Sequence, residues 1–174
     1  MAEYVNFLEN SHMDHPTFAI REATPKDAGS LTQLINAAFE VERFFKNNDR
    51  TNVDGVRTYM TTGKFLIAED PAGFAACIYV ELRGDRGYFG LLSVDPSRQR
   101  TGLGRTMVEA AEEYMRNHGC QCSDMHIVNL RTELPSFYAK LGYEVTGTEP
   151  FTGQGAPETP CHFINYSKQL KHHS

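Results

Sequence analysis

The chain has 174 residues, 40% of them hydrophobic and 22% charged, with a formal net charge of −5. A chain of this length buries roughly 70% of the surface its unfolded form exposes, so it needs neither disulfide nor metal to hold a core, and its acidic balance argues against general affinity for nucleic acid. No apolar run approaches the ~20 residues of a membrane helix, and no charged head with an apolar segment opens the chain, so the four cysteines are expected reduced, in a cytoplasmic protein.

Residues 1–16 show no clean period, and Ser11-His12-Met13 resembles a cloning scar. They are expected to form an arm, in part vector-derived, ahead of one domain over residues 17–174. TFAIREA reads as a first strand with Phe18 and Ile20 on one face. Thr24 then serves as N-cap, with Pro25 at the first helical position and Asp27 in the first turn. Leu31, Leu34, Ile35 and Phe39 recur at helical spacing. FFKNNDRTN reads as loop, and VRTYMTTG as a short helix ending at Gly63. The period then changes to that of strands: KFLIAED, GFAACIYVEL and GYFGLLSV, joined by DPAG and RGDRG, predict an antiparallel meander.

A helix follows, with Leu103, Met107, Ala111 and Tyr114 on one face and Glu109, Glu112, Glu113 and Arg116 mostly on the other. It ends at His118-Gly119. SDMHIVN is the next strand. Because a helix links it to LLSV, those two strands are expected to be parallel, with a right-handed crossover. LPSFYAKLGY predicts a short helix closed by Gly142, and YEVTGTE and HFINYSK are the last strands.

The stretch RQRTGLGR, Arg98 to Arg105, opens the long helix with three arginines, two glycines and no acid. Helix starts usually carry acids, because the first turn exposes free N–H groups and a partial positive charge. Here that charge is reinforced, by Arg98, Arg100 and Arg105. Gly102 and Gly104 let backbone donors approach a ligand closely. A pyrophosphate fits this better than a carboxylate. The loop lacks the GK[ST] ending of a Walker loop, and Met107 stands where a dinucleotide fingerprint needs its third glycine. Taken alone, the loop is either such an anion site or a structural turn.

Gln99-Arg100-Thr101-Gly102-Leu103-Gly104 matches the Q/R-x-x-G-x-G/A loop of the GNAT N-acetyltransferases, and FYAKLGY, with Tyr138 lying 34 residues beyond Gly104, resembles that family's F-Y-x-K-x-G-F/Y stretch. The order of elements resembles the family's over roughly residues 17–168. The resemblance implies an α/β (mixed α+β) fold. Its central sheet has six to seven mostly antiparallel strands and one parallel pair joined by the helix after the glycine loop, with helices on both faces. It further implies an acyl-CoA-dependent N-acyltransferase moving acetyl from acetyl-CoA, as cosubstrate, to a primary amine by direct attack on the thioester.

By the same resemblance, Leu92, Ser93 and Val94, together with Gln99, Arg100, Thr101, Gly102, Leu103, Gly104 and Arg105, hold the cofactor through backbone groups. A strand bulge then opens a gap for the pantetheine arm, and Gly90 is a plausible site for it. A backbone N–H near Leu92 or Ser93 polarises the carbonyl. Asn129 bonds the arm, although a turn asparagine is equally consistent. Tyr138 protonates the leaving sulfur, the alternative being a packed helix ring. Where some relatives carry a glutamate base, this chain has Tyr88. Glu81 is the nearest carboxylate candidate, with His126, Glu42 or a water chain as further options, and Glu81 is equally well read as a solvated strand end.

His118, Cys120, Cys122 and His126 have the wrong spacing for zinc, so no metal is expected. The acceptor is expected to be a small-molecule or peptide amine. Glu40, Glu42, Asp54 and Glu81 would favour a cationic one if they line its pocket, and are otherwise solvated faces. Phe44 and Phe45 are candidate pocket walls or core. No nucleic-acid or membrane partner is expected, and the chain is read as monomer or homodimer. Two rivals remain: a non-catalytic acyl-CoA-binding module on the same fold, and a binder of another phosphorylated ligand.

Overall fold

The computed structural model of the protein describes residues 17–152 and 157–171. The arm over residues 1–16, the tail histidines His172 and His173, and part of the loop before the last strand lie outside the described residues. The elements in chain order are β1 (Ala19–Glu22), α1 (Ala28–Ala38), α2 (Val53–Thr62), β2 (Lys64–Asp70), β3 (Gly73–Arg83), β4 (Arg86–Val94), α3 (Leu103–Asn117), β5 (Cys122–Val128), α4 (Leu134–Lys140), β6 (Glu144–Pro150) and β7 (His162–Gln169). Short 3-10 turns cover Pro25–Asp27, Phe39–Glu42 and Pro96–Arg98. The strands form one seven-stranded sheet in the order β1-β2-β3-β4-β5-β7-β6. Every pairing is antiparallel except β4 with β5, as the helical crossover requires.

Alternation in the strands feeds two cores. Phe65, Ile67, Cys77 and Tyr79 point to the face covered by α1 and α2, against Leu31, Ile35 and Val56. Leu66, Ala68, Ile78 and Val80 point to the other, against Leu103, Met107, Val108, Ala111 and Met115 of α3. Each large side chain removed from water in these layers contributes about 1.5–3 kcal/mol.

Local signals place the helix ends. Thr24 N–H donates to Asp27 Oδ2 at 2.7 Å, with Pro25 next to it. α2 begins three residues earlier than its apolar pattern suggests. Asn52 caps it, Oδ1 accepting from Gly55 N–H at 2.8 Å. Gly119 and Gly142, at φ +83° and +91°, end α3 and α4 in the left-handed conformation that glycine adopts without penalty.

Glu112 corrects the reading of α3. It is 2% exposed, not on the solvated face. Its carboxylate accepts from Tyr143 Oη at 2.9 Å and Lys168 Nζ at 2.9 and 3.0 Å, and pairs with Arg116 at 3.2 Å. The acid is buried because Tyr143, just before β6, brings it a hydroxyl and Lys168 of β7 brings it a cation.

Candidate active site

The site begins with a fork in the sheet. β4 pairs with β5 only through Arg86, Gly87 and Tyr88, opposite Cys122, Ser123 and Asp124. Beyond Tyr88 the parallel ladder stops, while β3 keeps its hold on β4 as far as Val94. A bulge accompanies the divergence. Cys77 pairs with Ser93 and Tyr79 with Gly90, so Leu91 and Leu92 together face Ile78. The extra residue is absorbed by Leu91, at φ +51°. The sequence pointed to Gly90; the left-handed residue is the next one along. The bulge also changes which side each residue serves. Phe89 lies in the α3 core and Leu91 in the α1–α2 core, although two residues apart on a regular strand would share a face.

A cavity of about 670 Å³ opens at this fork. Tyr88–Leu92 of β4 and Met125–Val128 of β5 form its sides. Leu134, Phe137 and Tyr138 of α4 line it as well, as do Phe39, Glu42, Lys46 and Arg50 from the segment between α1 and α2.

The glycine loop lies past the end of β4, outside this lining. Arg100 and Gly102 are both left-handed, at φ +65° and +80°, which curls the backbone ahead of α3. Thr106 N–H makes the first helical bond, to Gly102 O at 3.1 Å. The N–H groups of Leu103, Gly104 and Arg105 therefore stand at the helix start ahead of any intrahelical acceptor, where the dipole favours an anion. A Cβ on Gly104 would meet Phe137 Cζ at 3.6 Å, so the loop and α4 approach closely here. Gln99 Nε2 reaches Val94 O at 3.4 Å and Thr101 Oγ1 donates to Arg98 O at 2.7 Å, so the loop is internally tied. Leu103 is buried in the core.

The three arginines differ. Arg98 is not a free rim charge: it grips Asp70 through both terminal guanidinium nitrogens and lies over the Phe18 ring. Arg105 pairs with Glu109 one turn on, at 2.9 Å and well exposed, a pairing that contributes little. Arg100 makes no ion pair among the described residues.

Among the remaining candidates, Tyr138 lines the cavity at 5% exposure. Burial pushes its phenol above the ordinary value, and no hydrogen bond to its hydroxyl is made among the described residues. Leu92 lines the cavity, whereas Ser93 is buried behind it, its hydroxyl donating to Leu91 O at 2.9 Å. Asn129 Oδ1 accepts from His162 N–H at 2.8 Å, and Asn129 N–H donates to His162 O. That carboxamide oxygen thus closes the β5–β7 seam, and the side chain does not line the cavity.

Glu81 does not line the cavity either. It accepts from Tyr79 Oη at 2.9 Å and from Arg83 Nε at 2.8 Å, and the Arg83 guanidinium holds its carboxyl below the ordinary range. A carboxylate so occupied is a weak base. His126 does line the cavity. Its ring stacks on Phe163 at 4.2 Å, its Nε2 stands 3.5 Å from Tyr88 Oη, and burial lowers its pKa. Burial raises the Tyr88 phenol to about 12.

Of the acids read either as an acidic pocket or as solvated faces, only Glu42 lines the cavity, and each has a basic partner. Glu40 bonds Arg43 at 2.6 Å, Glu42 bonds Arg131 at 2.9 Å, Asp54 faces Arg57 at 3.7 Å and Glu81 bonds Arg83. Phe45 is core and Phe44 is exposed, so neither is a wall. Sequence reasoning overlooked Lys46, Arg50 and Arg131, because a cation in a polar loop carries no local mark of facing inward. Among the described residues no three His, Cys, Asp or Glu side chains gather as metal ligands, and no helix is long and apolar enough to cross a membrane.

The model of the acetyltransferase (GNAT) family matches residues 30–143. Mycothiol acetyltransferase of Propionibacterium freudenreichii is 27% identical over 109 residues, which is 60% of this chain and 34% of that protein. The chain thus spans about a third of the length of the curated relative it matches. Among solved structures, yncA of Salmonella typhimurium, determined with its cofactor acetyl-CoA, superposes with a TM-score of 0.69 at 18% identity, covering 90% of this chain and 96% of that one. The ribosomal-protein-S18-alanine N-acetyltransferase of Escherichia coli gives a TM-score of 0.66 at 16% identity, covering 91% and 97%. At such identities the structural likeness shows the fold alone.

Proposed function

The chain belongs to the GNAT acetyltransferase family, and from that premise we propose that it moves an acetyl group from acetyl-CoA to a primary amine by direct attack on the thioester. The observation that carries this reading is the fork. Two parallel strands part after three residue pairs, a cavity fills the gap, and a glycine loop with free N–H donors stands just past the end of one of them. A diphosphate on that loop leaves the attached pantetheine arm to run into the gap. Holding the thioester there beside a bound amine supplies the proximity that acyl transfer needs.

The chain's own groups then divide the work. Backbone N–H groups of Leu103, Gly104 and Arg105 receive the diphosphate. The backbone around Leu91 and Leu92, freed from the ladder by the bulge, meets the thioester carbonyl, where a donor stabilises the developing oxyanion. The amine nitrogen forms the new C–N bond as the C–S bond breaks. Tyr138 gives its proton to the departing thiolate; a phenol whose pKa is raised by burial is still protonated at neutral pH and so able to donate. His126 takes the proton the amine loses. Burial keeps its imidazole neutral near pH 7, which makes it a better acceptor here than Glu81. The products are the N-acetylated amine and free coenzyme A.

The test is thiol release from acetyl-CoA across a panel of amines, with coenzyme A affinity measured by calorimetry alongside ATP and NAD. Amine-dependent release with selective coenzyme A binding is expected. Binding without turnover on any amine would make the protein an acyl-CoA-binding module, and equal weak affinity for all three nucleotides would overturn the assignment of the loop.

A further inference from the structure

Two cations that line the cavity, Lys46 and Arg50, form no ion pair among the described residues, although the Glu42 carboxylate lies close enough to act on Lys46. The acids of the cavity are already satisfied: Glu42 by Arg131 at 2.9 Å and Asp49 by Arg43 at 2.8 Å. Lys46 is 9% exposed. The Arg50 guanidinium lies 5.3 Å from the centre of the Phe39 ring. It lines the same cavity as Lys46, Tyr88 and His126. Burial, with Arg50 beside it, lowers the pKa of Lys46 despite the opposing pull of the Glu42 carboxylate, which is itself held by Arg131. Two like charges drawn partly out of water are unfavourable unless something of opposite sign joins them. The diphosphate is not that partner in the site described above, since none of Gln99–Arg105 lines the cavity.

Resting on the N-acyltransferase reading, we propose that the acceptor is an amine bearing a carboxylate, of the free amino-acid type, and that Lys46 and Arg50 bind that carboxylate. A guanidinium offers the paired donors a carboxylate accepts, and an ammonium adds a compact charge. The same two charges disfavour the ammonium form of the bound amine, so they help expose the lone pair that attacks. Polyamines and lysine side chains in proteins carry the wrong charge for this part of the cavity.

The experiment reads binding rather than turnover. N-acetyl-L-amino acids and the corresponding N-acetyl amides, compounds of product form, are titrated calorimetrically into the full chain. Several acids of the set are expected to bind at least tenfold more tightly than their amides. The ratio should fall towards one in Arg50→Gln, and in Lys46→Gln if that variant folds. Equal affinity of acid and amide, no binding by any acid, or a ratio unchanged in Arg50→Gln would each overturn the proposal. Coenzyme A is titrated in parallel. Failure of the wild type to bind it would sink the acyltransferase reading by itself, whereas unchanged coenzyme A affinity in Arg50→Gln places the effect at the acceptor.

Discussion

Replacing Gly102 by aspartate should weaken coenzyme A binding through its charge, over and above a backbone penalty that asparagine shares, and the size of the charge effect can be worked from the loop. A Cβ at Gly102 meets nothing within 4 Å, so no steric term enters. The φ of +80° penalises any side chain by about 1–2 kcal/mol, least for asparagine and aspartate. Gly102→Asn therefore carries nearly the same backbone penalty as Gly102→Asp and differs by one negative charge. At about 6 Å from a diphosphate of two charges, in a water-like dielectric, that charge is worth roughly 1.4 kcal/mol, a tenfold rise in Kd. Calorimetry on both variants at low salt should show this tenfold gap. At 1 M salt, where the screening length is about 3 Å, the gap should nearly close. Equal affinities at low salt, or a gap that survives high salt, would mean that the diphosphate does not sit at the start of α3.

Tyr138→Phe should lower kcat at least tenfold while leaving coenzyme A affinity and Tm nearly unchanged, because the hydroxyl holds nothing else together; equal losses in kcat and affinity would make it a binding residue. The acid limb of the pH profile should inflect below about 6.5, the ordinary histidine value. Burial disfavours the His126 imidazolium, so the base form persists to lower pH and activity is lost only as pH falls through that depressed pKa. His126→Gln should remove the limb, and its survival would assign the base elsewhere. Glu112→Gln leaves Lys168 and Arg116 without their shared acid and should cost about 3 kcal/mol, read as a Tm lower by roughly 6–12 °C with coenzyme A affinity retained in the folded protein. A shift under 2 °C would show that the network is not structural.

What the chain reveals on inspection is whatever is local. The order of elements, the strand periods, the glycine loop and the glycines that end α3 and α4 all announce themselves within a few residues. The features that escaped are set by partners far away. Glu112 looks solvated until Tyr143 and Lys168, 31 and 56 residues later, close over it. Arg98 looks free until Asp70, 28 residues earlier, claims it. Leu91 takes a backbone shape that leucine disfavours, and nothing in LLSV signals it, because the register with β3 imposes it. Lys46 and Arg50 face inward only because the segment carrying them folds over the fork.

The fork has a mechanical consequence. Where β4 leaves β5, the sheet ceases to be one plate and becomes two leaves, of four strands and of three, sewn together along three residue pairs. A seam that short makes a natural flexing axis. Whatever enters the opening becomes the missing rung between the leaves, so occupancy should stiffen the protein far beyond the few atoms it touches.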